Sequence, residues 1–510
     1  MIAHFRLADI SLATMLDAHS SWPAHLLQNA ALILLSLIFL PLDTFILFSS
    51  YALQSFITED TTRRRRRIRR SRKFYPKTIL VTGVGMAKGL ALARAFYQAG
   101  HRVIGADFEP YGVPVNGRFS RVLSKFYPLS QPNSREGSRH YIQDLLSAVR
   151  REKVDLWVSC SGVASAVEDG QAKEVIERHT SCRAIQFDVK TTGTLHEKHS
   201  FIQHTKSLAL PAPETYDVTS RTAVHKILNG TDGKQYILKS VGVDDSTRGD
   251  MTLLPRPTIS ETYQHLSSIK ISNDKPWVLQ QFIRGEEYCT HSLVIEGEVK
   301  VFVACPSAEL LMHYEALHPR SALSKAMLKF TQEFAARSGD GLTGHLSFDF
   351  LVEETSSEKG LEKVLYPIEC NPRAHTAAVL FEGHSEEVTE SYLSALAPEM
   401  NGVVNGHKEH IVVPTHPAKY YWIGHDLVSL VLHPFLELLI GATSISDFLQ
   451  GCYLFLQHLL LWKDGTYEIW DPLPWWWLYH IYWPGQFLAC ILQRRKWSRV
   501  NVSTTKMFNC

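Results

Sequence analysis

The stretch Gly344–His375, GHLSFDFLVEETSSEKGLEKVLYPIECNPRAH, decides how this chain is read. In His345–Val352 the even positions Leu346, Phe348, Phe350 and Val352 are apolar, while the odd positions include His345, Ser347 and Asp349. That is the period-2 alternation of a half-buried strand. Val364–Asn371 places Val364, Tyr366, Ile368 and Cys370 on one face, with Glu369 and Asn371 on the other. The polar stretch Glu354–Glu362 between them contains Gly360 and reads as a hairpin loop. Closure about Lys359 sets Asp349 opposite Glu369. Like charges directly across a ladder repel, and a divalent cation shared with phosphate oxygens turns that repulsion into attraction. Asp349, Glu369 and Asn371 are therefore candidate ligands for Mg2+ or Mn2+. Arg373, just past the strand-ending Pro372, is the candidate catalytic group for a transferring phosphoryl. A surface hairpin with scattered charges is the bland alternative.

Upstream, Lys77–Pro110 reads as a βαβ unit of a parallel sheet. Thr78–Thr82 is a buried-strand run, Gly83, Gly85 and Gly89 form a glycine turn, and Met86–Ala99 has helical spacing. Arg102–Ala106 returns as a strand ending at Asp107. A dinucleotide fingerprint wants its third glycine at the place of Lys88, and here it comes one residue later. An NAD(P)-dependent reductase built on the Gly83–Gly89 turn is thus an alternative reading, and phosphate at the helix N-terminus stays open. Asp155–Cys160 and Ala184–Phe187 read as further strands.

The hairpin resembles the metal-binding end of the ATP-grasp superfamily, which carries an acidic residue on one strand and E-x-N-x-R on the next. Glu369, Asn371 and Arg373 match that pattern, and Asp349 matches the upstream acid. The resemblance implies ATP and two Mg2+ ions, an acyl-phosphate intermediate, and attack by an amine. Lys198 and Lys239 would then hold phosphates, and Arg248 in the loop Val241–Asp250 would cap them. Gln280, Gln281, Phe282 and Ile283 would offer backbone edges to adenine, and Glu287 would accept from ribose. Many relatives have a carboxylate where Gln280 or Gln281 stands. The runs PLDTFILF, ILVTGVGMAKGLALARAFYQAGHRVI, WVLQQFIRGEEYCTHS and IECNPRAH, within Leu32–Trp497, are similar to one branch, the mycosporine-glycine synthetases and related secondary-metabolite amino-acid ligases. Substrates implied are a small acid or enol and the amine of an amino acid, with Tyr288–His291 and Ser307–Glu309 as acceptor-pocket candidates. Expected is an α/β chain of four parts: membrane anchor and basic run at 1–75, Rossmann-like pre-ATP-grasp domain at 76–190, two-lobed ATP-grasp α+β domain at 191–398, and an aromatic-rich segment at 399–510. A non-catalytic, membrane-tethered ATP sensor is a further alternative.

Size and charge set limits. At 510 residues the chain holds several domains, and a net charge of +2 argues against a nucleic-acid partner. Its eight cysteines lack any C-x-x-C pair, which fits a reducing compartment. Residues 30–57 are long and apolar enough to span or re-enter a bilayer, although Pro41 and Asp43 interrupt them. The basic run Arg63–Lys73 follows, keeping the catalytic body on the cytosolic side of the membrane. Single-pass and monotopic attachment both fit. Residues 473–497 carry six Trp and Tyr side chains before Arg494, Arg495 and Lys496, and read either as a second interfacial element or as a docking segment.

Overall fold

A computed structural model describes the chain except residues 1–15, 17–19, 58, 73, 133–136, 161, 163–164, 231–232, 241–251, 308–311, 340, 358–359 and 397–409. The architecture is mixed α/β. A parallel sheet of β1 (Thr78–Thr82), β2 (Arg102–Phe108), β3 (Leu123–Leu129), β4 (Leu156–Ser159) and β5 (Arg183–Ile185) has the order β3-β2-β1-β4-β5. The edge strand β3 was not anticipated; its exposed Ser124 and Lys125 weaken the apolar signal. Between β1 and β2 runs the helix Ala87–Gln98. Gly83 has φ of +72°, and a Cβ on Gly89 would sit 2.2 Å from the Gly83 carbonyl, so the turn and helix close on each other there.

That helix start is filled by the chain itself. Ala87 N–H donates to Ser503 C=O at 2.8 Å, and Gly85 N–H donates to Asp107 Oδ2 at 2.7 Å. The alternative of a phosphate or NAD(P) site here is disfavoured, because backbone groups that would bind pyrophosphate already have partners.

Two antiparallel sheets follow. The smaller joins β6 (Thr215–Val218), β7 (Tyr236–Ser240) and β8 (Trp277–Gln281) in the order β6-β8-β7. The larger joins β9 (Glu286–Ile295), β10 (Glu298–Pro306), β11 (Gly344–Ser357) and β12 (Gly360–Asn371) in the order β10-β9-β11-β12. Leu346, Phe348, Phe350 and Val352 point into one core with Phe201, Phe330 and Phe334. Phe330 meets Phe348 and Phe350 edge-on at 5.4 and 5.2 Å.

Asp349 does pair with Glu369, yet not by the expected route. The stretch Glu354–Glu362 is mostly strand, closed by the pair Ser357–Gly360 rather than by a long loop. The register then shifts by one residue, since Phe350 pairs with Pro367 and Asp349 with Glu369, leaving Ile368 as a bulge. A bulge also breaks the period-2 parity. Cys370 and Leu365 pack on the core, whereas Val364, Tyr366 and Ile368 do not join it.

The N-terminal apolar stretch is one continuous helix, Trp22–Ile57, with Pro41 inside it. Among the described residues it is the one helix long and apolar enough to cross a membrane, and 6% of its most apolar window is buried. Residues 473–492 form helical turns, Leu473–Trp477 and Trp483–Leu492 joined by a π-turn. Trp475, Leu478, Tyr482, Trp483 and Phe487 are buried, as the docking reading of 473–497 expects, while Leu488 and Leu492 stay exposed. Two helices that composition did not suggest as separate elements, His433–Leu439 and Ile445–Leu461, carry exposed apolar side chains instead, among them Leu436, Leu439, Leu449 and Leu460. All eight cysteines are free thiols.

Candidate active site

The four-stranded sheet and the helix Lys198–Ser207 build the site between them. Phe201 on that helix stacks on Phe348 at 5.8 Å. Lys198, three residues earlier and so on the same helical face, is thereby carried to the hairpin. Its Nζ lies 2.6 Å from Glu369 Oε2. Across the ladder, Asn371 Nδ2 donates to Asp349 Oδ2 at 3.0 Å. Ser347 Oγ donates to the Arg373 carbonyl at 2.9 Å, fixing the turn after β12.

The two opposed carboxylates sit in different electrostatic surroundings. Burial pushes the Asp349 carboxyl well above the usual range, and repulsion from Glu369 and Glu287 adds to it. Burial acts on Glu369 too, but Lys198, then Arg373 and Lys239, outweigh it and hold that group below its ordinary value. Lys239 is brought down to about 8, first by desolvation and then by Lys198. Desolvation also lowers Arg373, whose Nη1 is buried without a hydrogen bond among the described residues. A crowded, buried carboxylate wants a cation, and an orphaned guanidinium donor wants an anion. Both demands fit Mg2+ with a polyphosphate. Asp349, Glu369 and Asn371 would hold the metal, and Lys198, Lys239 and Arg373 the anion.

The adenine-edge assignment needs correction. Strand β8 is the middle strand of its sheet, so Gln280 is paired with Thr215 on one side and Ile237 on the other. Gln281 N–H donates to Glu214 C=O, and its side-chain oxygen accepts from Glu214 N–H. Phe282 N–H donates to Gln235 C=O at 2.7 Å, which leaves Ile283, with its side chain buried, as the backbone position past the strand. Gln280 has a different task. Its Oε1 accepts from Lys239 Nζ at 2.6 Å, because Lys239 and Gln280 are diagonal neighbours on one face of the sheet. A glutamate here would neutralise that ammonium; the amide holds it in place without adding a charge. Glu287 is exposed on β9 and accepts from Ser307 Oγ at 2.9 Å. Arg248 lies outside the described residues, as do residues 308–309 of the acceptor-pocket candidates.

The other acceptor candidates divide. Cys289 faces Cys305 at 3.3 Å between sulfurs, and Thr290 Oγ1 bonds both the amide and carbonyl of Phe348, so these two are packing residues. Tyr288 is buried and donates to Glu286. His291 is buried, and its Nδ1 accepts from His375 N–H at 3.3 Å. Lys88 was missed. Its Nζ donates to Ala374 C=O at 2.8 Å beside Arg373, and burial followed by Arg373 brings its pKa down to about 7. The glycine-turn reading drew attention away from it, since the lysine occupied a slot where a glycine was sought.

No protein-family model matches the chain, and no curated protein matches it. Among solved structures it is similar to N5-carboxyaminoimidazole synthetase from Staphylococcus aureus, at 14% identity and TM-score 0.48, over 71% of this chain and 86% of that one. It is similar to the L-amino acid ligase from Bacillus licheniformis, at 13% identity and TM-score 0.46, over 69% and 81%. The biotin carboxylase domain of Hydrogenobacter thermophilus 2-oxoglutarate carboxylase aligns at 12% identity and TM-score 0.44, over 64% and 71%. Likenesses this distant transfer neither substrate nor activity.

Proposed function

We propose that this chain is an ATP-dependent ligase of the ATP-grasp type, joining a small acid or enol to the amine of an amino acid in secondary metabolism. One observation carries the reading: Asp349 and Glu369 oppose each other across a hairpin, with Asn371 beside them and Lys198, Lys239 and Arg373 around them. Mg2+, when bound, supplies charge neutralisation between carboxylates and phosphate oxygens. Lys198 and Lys239 hold phosphates. Arg373 takes the charge that grows on the migrating phosphoryl group, and Gln280 positions Lys239. Phosphorylation of the acid or enol oxygen creates a leaving group, and the amine displaces it. The work of the protein is orientation and fixed charge, with no side-chain nucleophile.

Membrane attachment is part of the proposal, and the monotopic form fits best. In Trp22–Ile57 the polar residues Asn29, Ser36, Asp43 and Ser50 recur every seventh position, on one face. Each meets the body: Asn29 Oδ1 accepts from Trp497, Ser36 Oγ donates to Tyr479 C=O, Asp43 pairs with His480 at 2.9 Å, and Ser50 bonds Tyr467. Asn29 to Ser50 covers roughly 32 Å of helix, about the full hydrocarbon thickness. A helix flanked by the body over that length lies along the membrane rather than through it. Its outer side exposes Leu34, Leu37, Ile38, Phe45 and Phe48 to lipid.

Incubating the protein with ATP, Mg2+, pooled amino acids and candidate acids tests the activity. Expected are ADP, phosphate and a condensed mass, all lost in Glu369→Ala while its fold persists. Full turnover by that variant would contradict the assignment. ATP binding with no ADP released under any mixture would favour the sensor.

A further inference from the structure

A second cluster of ligating side chains lies away from the carboxylate hairpin. His313 stands in the segment between β10 and the helix Ala322–Ser338, Asp426 closes the short helix Ile423–Asp426, and His458 sits near the end of the helix Ile445–Leu461. The segment carrying His313 is fixed to the body, since Tyr314 exchanges both backbone hydrogen bonds with Tyr420 at 2.9 Å. His458 Nδ1 lies 2.6 Å from Asp426 Oδ2, and His313 Nε2 lies 2.9 Å from Oδ1 and 3.2 Å from Oδ2. One ligand atom from each residue falls within 4.8 Å of the other two.

Three features separate this cluster from an ordinary hydrogen-bonded histidine pair. The Asp426 side chain is completely buried, and its recorded ion-pair partners are both imidazoles, with no lysine or arginine among the described residues. Burying a carboxylate is costly unless a cation or hydrogen-bond donors compensate it, and here the imidazoles are the groups placed to do so. Asp426 Oδ1, 2.9 Å from His313 Nε2, has no hydrogen bond among the described residues, because that ring nitrogen is engaged with Oδ2 at 3.2 Å. Trp462 packs against both rings, at 5.6 Å from His313 and 4.6 Å from His458, and shields them. His313 keeps 18% of its side chain exposed, leaving one approach for a water ligand.

We propose that His313, Asp426 and His458 bind a divalent transition-metal ion, best matched by Zn2+, which pins the apolar helices of residues 423–461 to the β-sheet body. Two imidazoles, one carboxylate and an open position suit zinc, and imidazole selects against Mg2+. Tetrahedral zinc spaces its donors roughly 3.3 Å apart, so the residues need only small shifts. This site is independent of the ligase reading.

Full-length protein purified without chelator, analysed for metal and then stripped and titrated with Co2+, tests it. Expected is about one equivalent of zinc per chain, visible Co2+ d–d bands after replacement, and a melting temperature that falls on stripping and recovers with Zn2+. His313→Gln and His458→Ala should drop zinc to background, whereas Glu369→Ala should keep it. Wild-type protein with no zinc, no Co2+ bands and no thermal response to Zn2+ would overturn the proposal, leaving a proton-sharing His–Asp–His network. Retention of zinc by both histidine variants would overturn it equally. The cobalt spectrum of the wild type decides even where a variant fails to fold.

Discussion

Lys239 shows how the site uses a single residue. Desolvation and Lys198 bring its pKa down to about 8, while Glu369 and Glu287 pull the other way. Below that pH the ammonium is formed and, on the proposed reading, meets the phosphates of ATP. Above it the free protein is neutral there, and binding ATP must first take up a proton. The dissociation constant for ATP is therefore expected to be flat below about pH 8 and to rise by up to about tenfold per pH unit above it. Lys239→Arg should flatten the curve, since guanidinium stays charged. A wild-type constant unchanged between about pH 7 and about pH 9 would contradict this role. Removing the aim rather than the charge, as in Gln280→Leu, should weaken ATP binding by about tenfold, the scale of a charge-assisted hydrogen bond, as measured by calorimetric titration.

Elements were legible where their signal is local. The alternation in β11 announced both the strand and the face that carries Asp349, and all four apolar members are buried. The bulge at Ile368 was not legible, because one extra residue leaves no compositional mark and reverses the face of everything before it. The central place of β8 was hidden for another reason: its partners β6 and β7 are distant in sequence, and pairing is not written in the strand. In the N-terminal helix the seventh-residue polar stripe was present in the letters, but the surrounding leucines and phenylalanines drowned it in any average. That stripe inverts the usual amphipathic arrangement, with polar residues toward the protein and apolar ones away. Two arginines of the basic run are likewise held inward, Arg64 by Glu386 and Arg65 over the Tyr97 ring at 3.8 Å. Sedimentation with anionic vesicles should capture the wild type, and the double change Leu439→Lys and Leu460→Lys should reduce capture several-fold without lowering the melting temperature, since both side chains are exposed. Equal capture of both proteins would remove those helices from the membrane contact.

Across the whole molecule residues 496–503 tie distant parts of the chain together. Ser503 C=O caps the first helix of the parallel sheet, Trp497 stacks on Phe487 at 5.6 Å, and Lys496 Nζ donates to Ser20 C=O at 2.6 Å. Arg94 and Asp471 form a buried pair at 2.9 Å between the parallel-sheet layer and the C-terminal region, with Ser120 Oγ donating to the same carboxylate. Deleting residues 497–510 should thus lower the melting temperature by several degrees, through loss of a helix cap and a buried tryptophan. Apart from the Trp497–Phe487 stack, these contacts join residues hundreds of positions apart, so no local reading finds them. On the proposed reading, Asp349 and Glu369 of the β11–β12 hairpin share a metal with a bound nucleotide. Electron paramagnetic resonance of Mn2+ tests it most directly, comparing wild type with the Asp349→Asn, Glu369→Gln double variant in the presence of ATP. Expected are ATP-dependent Mn2+ binding by the wild type and its loss in the variant; the same bound Mn2+ in both proteins would rule out the shared metal.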